Sequence, residues 1–150
     1  MLAGIREIAI ITTPEDKNQF VRLLGDGSQF GIKLDYLLQE KPRGIAEAFL
    51  IAEKFIRSES VALILGDNIF FGQGLGRNIS EIELDQNCHI WTQNVKDPSS
   101  FGIAEIGAEG EILRLVEKPS ENLGNSAITG LYKFPAGVLS KLEELKASQR

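Results

Sequence analysis

Some residue types are nearly missing from this chain of 150 residues. It has one cysteine, Cys88, and one histidine, His89, and the two are neighbours. A lone cysteine closes no internal disulfide, which excludes a disulfide scaffold and points to a reducing compartment, the cytoplasm. Two adjacent donors make no zinc site, and no Ser/His/Asp set can be assembled around the single histidine. Long apolar runs are absent too. The longest are short, such as residues 61–65, so no membrane-spanning helix is expected. The first residues lack a basic flank followed by a long apolar stretch, so they do not read as a secretory signal. Concentrated basic charge is absent: 16 Lys and Arg stand against 21 Asp and Glu, the net charge is −5, the positive residues are scattered, and their densest cluster is Lys41 with Arg43. A nucleic-acid binder needs a basic face, so nucleic acid is not an expected partner. A nucleotide or sugar phosphate stays open, because a few local donors suffice for it.

What is present is ordinary for a soluble domain. A composition of 43% hydrophobic and 25% charged residues can build one core at this length. Strand-like and helix-like segments alternate. Residues 7–12 form an apolar, β-branched run of the kind a buried parallel strand shows. Thr13 then reads as a helix cap, with Pro14 at the first helical position and two acids in the first turn. Gly25 can end that helix, and Gly25-Asp26-Gly27-Ser28 reads as a turn. Residues 34–39 read as a second strand. From Gly44 onward, Ile45, Ala48, Phe49, Ala52, Phe55 and Ile56 fall at helical spacing, with Glu47, Glu53 and Lys54 off the stripe.

Residues 61–65 read as another buried strand. A glycine-spaced loop over 71–76 leads into a weaker helix ending near Leu84, and 88–95 reads as a strand. That loop lacks both the Lys-Ser/Thr ending of a phosphate-binding loop and the dinucleotide-binding spacing. After Pro98, two β-rich runs, 102–106 and 112–116, are joined by a glycine-bounded turn and predict a hairpin. A strand over 127–134 and a short amphipathic helix over 137–146 follow. The alternation predicts an α/β fold with a largely parallel sheet and an antiparallel insertion, in a single domain. Met1-Leu2-Ala3-Gly4 resembles the last turn of a helix, so the chain reads as cut at both ends; short disordered termini are the alternative.

Three places can carry chemistry. Asp67 follows a buried strand at its carboxyl end, where open α/β sheets bind ligands, and one carboxylate there can hold a Mg²⁺. The alternative is an ordinary turn aspartate. Gln39 and Gly44 flank the start of the amphipathic helix. The amide can read a base edge, and the glycine lets a ligand approach the backbone. A polar strand end and a turn glycine are the alternatives. Glu117-Lys118-Pro119 ends a strand. Its carboxylate can accept sugar hydroxyls and its ammonium can hold a phosphate, or the pair is a solvated charged end. Cys88, His89 and Trp91 read as strand residues.

These pieces occur in an order that resembles one family. Leu24-Gly25-Asp26-Gly27-Ser28, Gln39 with Gly44, Leu65-Gly66-Asp67-Asn68-Ile69-Phe70, Phe101-Gly102, Glu117-Lys118-Pro119 and Thr129-Gly130-Leu131-Tyr132 together look like a glucose-1-phosphate thymidylyltransferase, and the G-D-G-S segment points to the thymidylyl branch. The resemblance covers nearly the whole chain. It implies a Rossmann-like, mostly parallel sheet with helices on both faces and an antiparallel β insertion, of the nucleotide-diphospho-sugar transferase type. It implies that dTTP and glucose 1-phosphate are joined to dTDP-glucose with release of pyrophosphate and with Mg²⁺. Carried over by motif, Gln39 and the Gly44 backbone contact thymine, and Asp67 holds the metal and serves the nucleotide. Gly102 and Glu117 contact glucose, Lys118 sits near the sugar phosphate as a second catalytic group, and Thr129 and Gly130 line the sugar pocket. A homo-oligomer at full length is implied as well.

Two substitutions depart from that pattern. Phe101 stands where the family usually has tyrosine, and Arg43 where an acidic residue is common. Two segments of the family are not found in the chain: the glycine-rich G-G-x-G-T-R-L loop that cradles the triphosphate, and a W-L-D-T-G segment with a second metal-binding aspartate. The chain therefore reads as a central fragment. On its own it is expected to be catalytically incomplete, with exposed strand edges and apolar surface. A non-catalytic nucleotide-sugar-binding module and a decayed or truncated product are the alternatives.

Overall fold

The computed structural model describes residues 3–41, 43–57, 59–84 and 87–142. The chain divides into two compact units: Met1–Ser60 with Phe71–Glu83 and Pro135–Arg150, and Val61–Phe70 with Leu84–Phe134.

The first unit opens with strand β1 (Glu7–Thr12) and helix α1 (Pro14–Leu24). The cap is the predicted one. Thr13 is extended, and its hydroxyl oxygen accepts from the Asp16 amide at 3.3 Å. Gly25 closes the helix, its amide donating to the Val21 carbonyl at 2.9 Å. A tight turn and a 3₁₀ turn (Ser28–Phe30) lead to β2 (Lys33–Leu38), which pairs parallel with β1 from Glu7↔Lys33 to Thr12↔Leu38. Side chains lock the turn. The Tyr36 hydroxyl donates to the Gly25 carbonyl at 2.7 Å, and Asp26 accepts from the Ser28 amide at 3.0 Å. The Ser28 hydroxyl and amide hold the Asp26 carboxyl below its ordinary pKa.

The long amphipathic stripe folds as two pieces, α2 (Ile45–Ile51) and α3 (Glu53–Ile56). Ala52 between them sits at φ −88°, ψ 6°, and the ladder tightens there to a bond from the Phe55 amide to the Ala52 carbonyl. The stripe still faces inward, since Phe49, Ala52 and Ile56 are buried. Helix α4 (Leu75–Glu81) opens at Gly74, so Gly76 belongs to the helix and not to the loop. Helix α5 (Val138–Leu142) contacts α2 and buries Val138. Residues 143–146 of the predicted helix and Met1 and Leu2 of the predicted terminal turn lie outside the described residues. Gly4 adopts φ +74°.

The second unit is a five-stranded sheet of β3 (Val61–Ile64), β4 (His89–Asn94), β5 (Gly102–Ile106), β6 (Ile112–Glu117) and β7 (Ser126–Phe134). β7 pairs with β4 along one edge and with β3 and β5 along the other, and β6 lies outside β5. The predicted hairpin is β5–β6. Every pair in this sheet is antiparallel.

The α/β class holds, with a parallel and an antiparallel part. Among the described residues parallel pairing is confined to β1 and β2, and the other pairs belong to the antiparallel part. The run 61–65 supplies β3, which pairs antiparallel with β7. An unbroken apolar run carries no strand direction, and the expected full burial is not met either, since β3 is half-buried with Ile64 exposed.

The second unit's core is Ile103, Leu123 and Ala127, with Val95 and Val116 packed against them. Ile103 is fully buried, which contributes about 2 kcal/mol relative to exposure. Large apolar side chains also stand in solvent, including Leu23, Ile64, Leu113 and Leu115. No helix among the described residues is long and apolar enough to cross a membrane.

Gly27 is the tightest point of the turn. Its φ is +86°, and a Cβ there would lie 2.8 Å from Leu34 Cγ and 2.9 Å from the Ile32 carbonyl oxygen. Gly31 has a similar φ of +68° but open space around it. Gly27→Ala is therefore expected to lower stability by about 3 kcal/mol and Gly31→Ala by about 1 kcal/mol. Urea unfolding followed by circular dichroism checks this, and equal losses at the two positions would contradict the packing argument.

Candidate functional site

Gln39 and Gly44 belong to the first unit, while Asp67, Gly102, Glu117, Lys118, Thr129 and Gly130 belong to the second. Gln39 lies directly after β2, and its amide extends the parallel ladder with a 2.9 Å bond to the Thr12 carbonyl. Its side-chain Nε2 donates to Glu47 Oε2 at 2.7 Å, in the first turn of α2. Arg43 Nη1 lies 3.7 Å from the other oxygen of Glu47. Gly44, at φ +93°, has nothing among the described residues beyond its chain neighbours within 4 Å of where a Cβ would be, so its backbone has open space beside it.

In the second unit one strand gathers the other residues. β4 runs along one edge of β7, from Asn94↔Ser126 to His89↔Lys133. The opposite edge is shared. β5 reaches it at Ile103↔Ala127, and β3 pairs from Ile64↔Leu131 to Val61↔Phe134. Residues 128–130 are left between the start of β5 and the end of β3. The Leu65 amide bonds the Gly130 carbonyl at 3.0 Å, and the chain then turns through Gly66-Asp67-Asn68.

Gly130 adopts φ +74° within the strand, and a Cβ there would lie 2.8 Å from Asn68 Nδ2 and 2.9 Å from Leu65 Cδ1. The missing side chain is the room that the Asp67 turn occupies. Asn68 Nδ2 donates to Asp67 Oδ1 at 2.8 Å. Opposite Trp91 the β4–β7 register is irregular, and the Thr129 hydroxyl donates across it to the Trp91 carbonyl at 2.8 Å. The rings of His89 and Trp91 meet edge-on at 4.5 Å, in keeping with their reading as strand residues.

Gly102 and Glu117 are register partners across the hairpin, and Glu117 Oε2 comes within 3.0 Å of where a Gly102 Cβ would stand. Ile128 Cδ1 lies 3.5 Å from the same point. Lys118 follows with a left-handed backbone (φ +46°), its amide bonded to the Phe101 carbonyl at 2.9 Å and Pro119 next in sequence. A non-glycine residue held so costs about 1 kcal/mol, and such strain concentrates at ligand sites. The second unit thus brings Gly102 together with Glu117, and the Asp67 turn together with Gly130, at neighbouring points of one strand edge.

Asp67 is the candidate carboxylate for a metal here. No group of three or more His, Cys, Asp or Glu is placed to hold one among the described residues. That donor set fits Mg²⁺, which keeps several waters and takes one or two carboxylates plus phosphate oxygens. It does not fit zinc. A hollow along α1, lined by Asp16, Gln19, Phe20 and Leu23, contains none of the candidate site residues.

Three neighbours were not singled out from the sequence. Glu47 was read only as a polar residue off the apolar stripe, and Asn68 only as part of a motif. Tyr132 is the third: burial, and then the negative charge of Glu117, push its phenol above its ordinary pKa. Glu117→Gln is expected to bring the Tyr132 pKa part of the way back down, because burial remains. Ultraviolet titration of the phenolate checks it, and an unmoved midpoint would mean the two groups do not interact.

The nucleotidyl transferase family profile matches residues 1–150, and the chain belongs to that family. Its similarity is closer to one branch. It is 45% identical over 150 residues to the glucose-1-phosphate thymidylyltransferase of Mycobacterium tuberculosis H37Rv, covering 100% of this chain and 52% of the relative. It is 44% identical over 151 residues to the enzyme of that name from Neisseria gonorrhoeae, with the same coverage. The chain spans about half the length of these relatives.

Among solved structures, a Bacillus anthracis protein assigned as a glucose-1-phosphate thymidylyltransferase, in complex with a sucrose, superposes with a TM-score of 0.83 at 35% identity, covering 93% of this chain and 56% of that one. A UDP-glucose pyrophosphorylase from Acinetobacter baumanii superposes at 0.75 with 24% identity, covering 99% and 64%, and shares the fold.

Proposed function

We propose that this chain is the base- and sugar-recognising part of a glucose-1-phosphate thymidylyltransferase, a single partial nucleotidyltransferase domain. The observation that carries the reading is the 45% identity to an enzyme of that name along all 150 residues. In the reaction, a phosphate oxygen of glucose 1-phosphate attacks the α-phosphorus of dTTP in line. A new P–O bond forms, the bond to the bridging oxygen of the β-phosphate breaks, and pyrophosphate leaves with that electron pair. Little covalent work falls to the protein, which positions the reactants and neutralises charge.

Gln39 and the Gly44 backbone hold the thymine. Gly102 and Glu117 take glucose hydroxyls, the carboxylate lying in the space that Gly102 leaves open. Lys118 holds the sugar phosphate as a point charge. Thr129 and Gly130 line the sugar pocket through their backbone, since the Thr129 hydroxyl is engaged with Trp91. Asp67 would hold a Mg²⁺, which when bound neutralises phosphate charge. Asn68 leaves the second oxygen of Asp67 without a protein partner among the described residues. A cytoplasmic homo-oligomer is the matching setting, and the exposed thiol of Cys88 suits a reducing compartment.

The full-length gene product is expected to release pyrophosphate from dTTP and glucose 1-phosphate. Asp67→Asn is expected to lower kcat about a hundredfold or more while dTDP binding without metal stays unchanged. A coupled pyrophosphate assay and a nucleotide titration check the two halves. Absence of pyrophosphate release by the full-length protein would sink the reading.

A further inference from the structure

The Gln39 amide is held in one of its two orientations. Its Nε2 donates to Glu47 Oε2 at 2.7 Å. A carboxylate offers only acceptors, so turning the amide over would set its carbonyl oxygen against another acceptor. Glu47 is itself held. Its Oε1 lies 3.7 Å from the guanidinium of Arg43, four residues earlier and just before α2, and its side chain is 28% exposed, so the bond is partly shielded from water. One N–H of the Gln39 amide is thereby used, and its carbonyl with the remaining N–H stays available to a ligand.

Turning an amide over exchanges donor and acceptor. Thymine presents a carbonyl acceptor beside the N3–H donor. Cytosine presents an amino donor beside the N3 acceptor at the same two places. An amide pinned one way matches one of these edges and opposes the other. An amide free to flip accepts both.

We infer that Glu47, itself held by Arg43, is a positioning residue that sets the Gln39 amide for thymine and against cytosine. The inference rests on Gln39 being the base contact. Glu47 touches no substrate; it acts through Gln39. Arg43 stands where the resembled family commonly has an acidic residue, and here its partner is Glu47.

The test compares dTDP and dCDP binding to the full-length protein by titration calorimetry, with no turnover involved. The native protein is expected to prefer dTDP, and Gln39→Ala to lose that preference. Glu47→Gln keeps the size of the side chain but both donates and accepts, so it tolerates either amide orientation. It is expected to lower the dTDP/dCDP ratio about tenfold, chiefly through tighter dCDP binding, with an unchanged thermal midpoint. Loss of preference in Gln39→Ala with the native ratio kept in Glu47→Gln overturns the role of Glu47 and leaves the base contact standing. A native protein without preference, or Gln39→Ala with preference intact, overturns the base contact and this inference with it. If Glu47→Gln does not fold, Arg43→Gln is read instead: a ratio lowered about threefold supports the inference, and an unchanged ratio overturns it.

Discussion

Strand β7 has only two edges, and three strands pair with it. β4 takes one edge along most of its length, so β5 and β3 must divide the other. The division leaves a break at residues 128–130. Chain leaving β3 has to turn there, and Gly130 lets it turn close in, because a side chain at that point would occupy the place of Asn68 and Leu65. The Asp67 turn, the start of β5 with Gly102, and Glu117 across the hairpin are all placed by that shared edge. The Thr129 hydroxyl secures the opposite edge at the register irregularity.

The candidate residues of the first unit are placed differently. They offer an amide and an open backbone, not a carboxylate and a strained lysine. Gln39 is an extension of the β1–β2 ladder, so its backbone is as firmly placed as the strands. Its side chain is oriented by a residue eight positions on, which is itself oriented by Arg43. The turn that precedes β2 serves the fold. The Gly27 contacts with Leu34 and Ile32 and the Tyr36 bond to Gly25 lie within that turn and β2.

Much of this was legible in the residues. Thr13, Pro14 and Gly25 marked both ends of α1, since caps and breakers act through nearby backbone groups. The hairpin of β5 and β6 was readable from two β-rich runs joined at glycines. Asp67 stood out because it follows an apolar run. The break at Ala52 was not readable: no glycine or proline marks it, and the apolar stripe continues through it. Glu47 was passed over because a charge off an apolar stripe looks the same in sequence whether it meets water or a glutamine. Nothing local to Thr129 tells that its hydroxyl meets a carbonyl on a strand 38 residues away in sequence.

The sequence by itself determined what depends on near neighbours: where the capped helix α1 and the hairpin strands begin and end, which faces are apolar, which turns need glycine, and which few polar residues can do chemistry. The tertiary structure alone decided the direction in which the apolar run 61–65 pairs, how β7 divides its edge, and which way the Gln39 amide faces. The reason is physical. Backbone propensity and capping act over a few residues, whereas strand direction and side-chain orientation are set by groups brought together from distant parts of the chain. An apolar run or a lone amide is compatible with more than one such partner until the fold supplies it.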